Sequence, residues 1–197
     1  MSKGRLEAFS DAVIAIIITI MVLELRVPHG TSVAALRPLV PIFLTYVLSF
    51  VYLGIYWNNH HHLLQATRRI TGTVLWANLH LLFWLSLFPF FTRFVGENHF
   101  ATVPTAAYGG VLLLAALAYY LLQTSIVAAQ GPGSILPNAL GRDIKGKLSP
   151  CIYAVAIPMA FVNRWVAQGL YVVVALMWLI PDARLESRLN SLDGGRG

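Results

Sequence analysis

The stretch from Arg5 to Pro28, RLEAFSDAVIAIIITIMVLELRVP, sets an arginine and an aspartate against a run of isoleucines and closes that run with Glu24 and Arg26. From Ala12 to Leu23 only Thr19 carries a polar side chain. At 1.5 Å of rise per residue this apolar core covers about 18 Å of helix, short of the roughly 30 Å of a bilayer's hydrocarbon. Carboxylates at both ends, Asp11 and Glu24, are costly against lipid. The segment is therefore predicted to be a helix that other spans shield or that borders water, with its charged ends in aqueous vestibules.

Composition places the chain in a membrane. Of its 197 residues 57% are hydrophobic and 11% charged, with a mean hydropathy of +0.69; a soluble domain carries about twice that charge. The net charge of +6 does not indicate nucleic acid, because the Lys and Arg residues sit in short clusters between apolar runs and form no basic stripe. Lys3 and Arg5 ahead of an apolar core imitate a secretory leader. Glu24, Arg26 and Pro28 intervene before the small residues at Val33 to Ala35, so the segment is expected to be retained. Cys151, the single cysteine, excludes an intrachain disulfide and is expected to be a small buried packing residue.

Six apolar runs separated by charge or Pro/Gly punctuation define candidate spans at about 7–27, 38–59, 72–94, 104–129, 149–163 and 165–181. The reading is all-α: one six-helix membrane unit over residues 1–181 and a short tail over 182–197. Pro150 is expected in the first turn of the fifth span, Pro158 is expected to kink it, and Asn163 to Trp165 must turn tightly into the sixth. With the N-terminus cytoplasmic, ten basic residues fall inside and four (Arg26, Arg37, Arg93, Arg164) outside. That asymmetry predicts a multi-pass protein of the cell membrane with both termini cytoplasmic. Tryptophans mostly near span ends fit headgroup anchoring.

On a helix at 100° per residue, Ile16, Ile20 and Leu23 form one stripe with Thr19 at its edge, ending at Glu24. Periodicity alone leaves two readings open, ordinary packing and a functional face. At the N-terminal end, Arg5, Phe9, Ser10 and Asp11 resemble the Arg-x-x-x-Phe-Ser-Asp signature of the transmembrane protein 175 family, the endosomal and lysosomal potassium channels and their prokaryotic relatives. The resemblance extends through DAVIAIIITIMVLEL and the six-span layout over almost the whole chain. It implies one six-helix unit per chain and a homotetramer, whereas animal members carry two units and dimerise. It also implies that the first helix lines the pore with a ring of bulky apolar side chains, at which Ile16 stands. Independently, the chain has no Thr-Val-Gly-Tyr-Gly filter and no Arg-rich voltage sensor.

His60, His61 and His62 point about 100° apart on a helix and cannot share one zinc-binding face, so no metal or other cofactor is expected. One of them, or His80, is expected to turn toward Ser10 or Asp11. His80, Asn78 and Trp76 form a further intramembrane polar cluster, with His80 the favoured partner of the motif. Gly109, Gly110 and Gly169 are expected to permit close helix contact. No nucleophile setting for an enzyme is present. The resulting expectation is a potassium-permeable channel: Ile16 excludes water at the constriction, Thr19 offers oxygens, and Glu24 concentrates monovalent cations at the outer mouth. The competing reading is a proton-coupled secondary transporter using Asp11 and an intramembrane histidine; it would need a midplane site and repeats or broken helices, for which Pro158 is the one signal.

Overall fold

The computed structural model describes residues 2–130 and 144–179, and every regular element among them is helical. Helix α1 spans Lys3–Leu23. A 3-10 turn, Val33–Leu39, leads into α2, Val40–Gln65. Helices α3, Gly72–Ser86, and α4, Phe88–Glu97, follow, then α5, Thr102–Gln130, α6, Ile144–Val162, and α7, Arg164–Leu179. Among the described residues four stretches are long and apolar enough to cross a membrane: Lys3–Leu23, Val33–Gln65, Gly72–Glu97 and Thr102–Gln130; Arg164–Leu179 is apolar but shorter. With α3 and α4 counted as one segment, six helical segments stand where six spans are expected.

The short first span is explained by its N-terminal side. Its 21 residues run about 31 Å, because the polar stretch from Arg5 to Asp11 is itself helical. α1 packs against α2, α3 and α4, while α5 packs on α3, α4, α6 and α7. The first helix is thus an edge helix of the bundle. Lys3 Nζ donates to the Gln65 carbonyl at 2.7 Å and Glu24 pairs with Arg93, so each end of α1 is tied to a different neighbour.

Several local expectations change. The third span breaks at Leu87, because Pro89 near the start of α4 has no N–H for the preceding turn. Pro150 lies inside α6, which begins six residues earlier at Ile144, and the Ser149 hydroxyl donates to the Lys145 carbonyl at 2.8 Å. Cys151 is exposed, because the buried face of α6 is Ser149, Tyr153, Ala156 and Ala160, and a residue two positions along points away from it. Asn163 alone separates α6 from α7, and its Oδ1 accepts from the Trp165 N–H at 3.0 Å. Gly131 to Gly133 and the tail 182–197 lie outside the described residues.

Of the three glycines expected at close contacts, only Gly109 is one: a Cβ there would strike the Tyr171 ring and approach Ile157 at 3.1 Å, whereas Gly110 and Gly169 have nothing within 4 Å. Gly96 is a further contact, because its Cβ would lie 2.6 Å from the Ile42 Cα, a backbone atom that cannot step aside. Overpacking at such a point costs roughly 1–3 kcal/mol. Gly96→Ala is expected to lower the melting temperature of the detergent-purified protein and Gly110→Ala to leave it unchanged, as measured by a fluorescence thermal melt.

Candidate functional site

Two faces divide α1. Leu6, Ser10, Ile14, Ile17 and Met21 are buried, at the spacing of one helical stripe. On the opposite side Ile16 is 57% exposed, Ile20 42% and Leu23 76%, with Ala12, Ala15 and Thr19 exposed between and below them. The Thr19 hydroxyl donates to the Ala15 carbonyl at 2.8 Å. Its hydrogen is thereby committed to the backbone and its oxygen is left as an acceptor.

What fixes that rotation is a polar chain inside the bundle. His60 Nε2 donates to Asn78 Oδ1 at 2.7 Å, Asn78 Nδ2 donates to Ser10 Oγ at 2.9 Å, and Ser10 Oγ donates to the Leu6 carbonyl at 2.9 Å. All three side chains are at most 1% exposed. Each bond's donor is unambiguous once the Asn78 amide is set by Ser10, so the chain runs in one direction and its bonds reinforce one another. Asp11 lies beside it at partial exposure and accepts from Trp57 Nε1 at 3.0 Å.

These positions correct the expected partner. His80 is exposed and accepts from Trp84 Nε1 at 2.9 Å, one turn along its own helix. Asn78 faces inward, so a residue two positions later must face outward. His60 makes the inward bond instead, to Asn78 rather than directly to the motif, while His61 stacks on Trp57 with centroids 6.1 Å apart. Trp76 is 75% exposed and stands outside the chain. Arg5 is exposed and Phe9 is 47% exposed, so this part of the motif lies on the open face of α1.

Further buried hydrogen bonds lie outside the sequence-based expectations. Thr92 Oγ1 donates to Ser49 Oγ at 2.6 Å, Ser49 Oγ bonds the Tyr108 hydroxyl at 2.8 Å, and Tyr52 donates to the Tyr171 carbonyl at 2.6 Å. The first two bonds join α2, α4 and α5, and the third ties α2 separately to α7. Among the described residues no buried side-chain nitrogen or oxygen lacks a partner, and no group of three metal-ligating side chains occurs.

At the far end of α1 the expected outer-mouth carboxylate is paired: Arg93 donates to Glu24 and, through Nε, to Glu97 Oε1 at 3.0 Å, and Arg26 lies 3.2 Å from the same oxygen. Glu24 therefore offers no free charge by itself. Between α1 and α4 an open groove of about 570 Å³ is lined by Ile16, Ile20, Phe90, Phe94, Glu24 and Arg93, among others.

With this geometry in view, the likeness to known proteins is decisive. A protein named potassium channel from Chryseobacterium sp. (strain P1-3) is 53% identical over 190 residues, which covers 96% of this chain and 99% of that one. Residues 5–89 match the family model described as endosomal/lysosomal potassium channel TMEM175. The chain belongs to the transmembrane protein 175 family. The solved structure titled as a lysosomal potassium-selective channel TMEM175 homolog from Chamaesiphon minutus superposes with a TM-score of 0.80 at 28% identity, covering 90% of this chain and 96% of that chain. The human protein named endosomal/lysosomal proton channel TMEM175 is 40% identical over 83 residues, 36% of this chain and 16% of its own length. The family model spans α1 to the start of α4, so it takes in all three members of the polar chain, Ser10 on α1 and its partners Asn78 and His60.

Removing the middle of that chain strands the buried His60 N–H and leaves the Ser10 oxygen with no donor while its hydrogen stays on the Leu6 carbonyl; a buried group left unsatisfied costs roughly 1–3 kcal/mol. Asn78→Ala is expected to lower the melting temperature and the yield of the folded protein, whereas His80→Ala leaves both near the unmodified values. Thermal melts and size-exclusion profiles of the two variants check this.

Proposed function

We propose that this chain is a potassium-permeable cation channel, a homotetramer in the plasma membrane of a prokaryote with both termini cytoplasmic, whose four α1 helices surround the conducting axis. The observation that carries the reading is the division of α1 into a buried Ile14, Ile17 and Met21 face and an open face bearing Ile16, Thr19, Ile20 and Leu23. An edge helix with such a face, locked in rotation by Ser10 and Asn78, suits a pore wall completed by copies of itself. The names of the bacterial relatives support potassium as the permeant ion.

In this reading Ile16 forms the narrowest ring. Four branched side chains converging there exclude water, and the pore conducts when helix movement widens the ring. One turn outward, the Thr19 oxygens replace part of a potassium ion's hydration shell. Because they are fewer than the oxygens of a carbonyl cage, discrimination against sodium is weaker than in such a cage. The chain's own charge asymmetry orients it. Lys3, Arg5, Arg68, Arg69, Lys145 and Lys147 lie at one end of the described bundle and Arg26, Arg37, Arg93 and Arg164 at the other, with Arg142, Arg184, Arg188 and Arg196 outside the described residues.

Crosslinking in mild detergent is expected to trap a four-chain species. Ile16→Ala and Ile16→Asn are expected to raise cation flux in liposomes. Ile17→Ala, at a 3% exposed packing position, weakens the fold without widening the path, and Thr19→Val narrows the difference between potassium and sodium in reversal-potential measurements. Equal effects at Ile16 and Ile17, or flux unchanged by Ile16→Asn, would return the isoleucine stripe to ordinary packing.

A further inference from the structure

Glu24, Arg26, Arg93 and Glu97 come from two segments about 70 residues apart in sequence and form one chain of ion pairs. Arg93 is its hub: Nη1 donates to Glu24 Oε2 and Nε to Glu97 Oε1 at 3.0 Å, and Arg26 Nη2 meets the same Glu97 oxygen at 3.2 Å. Two carboxylates and two guanidiniums sum to zero. The side chains of Glu24, Arg93 and Glu97 are each 35% exposed, so their charges reach water. Glu24 and Arg93 line the same groove as Ile16 and Ile20, and Glu24 follows Ile20 by one helical turn. Whatever passes along the open face of α1 meets this cluster at one end.

A ring of bare Glu24 carboxylates would raise the local cation concentration several-fold at low ionic strength and bind divalent cations. The pairing prevents that. We propose that Arg93 is a specificity-determining residue of the conduction path: by cancelling Glu24 it holds this cluster at the outer mouth at zero net charge, which limits cation enrichment and keeps divalent cations from occupying the entrance. The proposal rests on the channel reading, with α1 as the pore wall. Arg37 and Arg164 lie at the same end of the bundle and are constant in every comparison below, so only the cluster's own charge varies.

The test uses the full chain reconstituted in planar bilayers. Potassium conductance is recorded at about 10 mM salt, where charge acts over about 30 Å, and at about 1 M, where it acts over about 3 Å. Arg93→Gln leaves the cluster at minus one per chain, Glu24→Gln at plus one, and the double substitution at zero. Arg93→Gln is expected to raise low-salt conductance several-fold with little change at high salt, and to make the current sensitive to millimolar-range calcium added on the side of Glu24. Glu24→Gln is expected to lower low-salt conductance, and the double variant to return the salt dependence to that of the unmodified chain. A salt dependence that does not follow the cluster's charge overturns the proposal, as does calcium sensitivity that survives in the double variant. If Arg93→Gln does not assemble, Glu24→Gln against the unmodified chain carries the test alone, and unchanged low-salt conductance overturns it. Absence of any potassium current from the unmodified, folded chain is a different failure, which removes the channel reading itself.

Discussion

The hydrogen bond from Asn78 to Ser10 is the constraint on which the geometry of the first helix depends. An amide at this depth must find an acceptor inside the protein, and the Ser10 oxygen supplies one for Asn78 while the Ser10 hydrogen goes to the Leu6 carbonyl and the Asn78 carbonyl oxygen is satisfied by His60. Once Ser10 faces the bundle, the 3.6-residue period leaves no choice for the rest. Ile14, Ile17 and Met21 turn inward with it, and Ile16, Thr19 and Leu23 turn out. The open face of α1 therefore follows from one buried polar contact more than from the hydrophobicity of its residues, which are nearly the same on both sides.

The other end of α1 is held by a different physics. At its C-terminal end the helix meets α4, whose direction is set by the break at Pro89 and whose distance from α2 is set by the absence of a side chain at Gly96. The Thr92, Ser49 and Tyr108 chain fastens the same helix to α2 and α5. α4 is thus a rigid post against which α1 is latched by Arg93. With the N-terminal end fixed by neutral buried bonds and the C-terminal end by a half-exposed ion pair, the C-terminal attachment is the one that salt and charge substitution can loosen.

Much of this was legible in the sequence. The six apolar runs and the division between Ile16 and Ile17 needed only span length and helical period, whereas the motif at the start of the first run was legible through its resemblance to a known family. The partner of the motif differs from the expected His80, and the sequence carries the signal for it. Ser49, Tyr52, Tyr56 and His60 recur at three or four residues, which marks one inward face of α2, and an inward Asn78 forces His80 outward. The same arithmetic on Ser149 and Tyr153 turns Cys151 away from the core. By contrast, no local pattern announces that Glu24 and Arg93 meet. Charges that far apart in sequence are joined by the path of α2 and α3 between them, so the expected free carboxylate at the outer mouth could be corrected only by the fold.

The most direct test of the account asks which side of α1 the permeating ions see. Single cysteines placed along α1 in a Cys151→Ser background are exposed to a charged, thiol-reactive reagent while potassium current is recorded. The account predicts block at positions 12, 16, 19 and 23 and none at 14, 17 and 21. Block at the buried positions, or undiminished current after complete modification at 16 and 19, would contradict it.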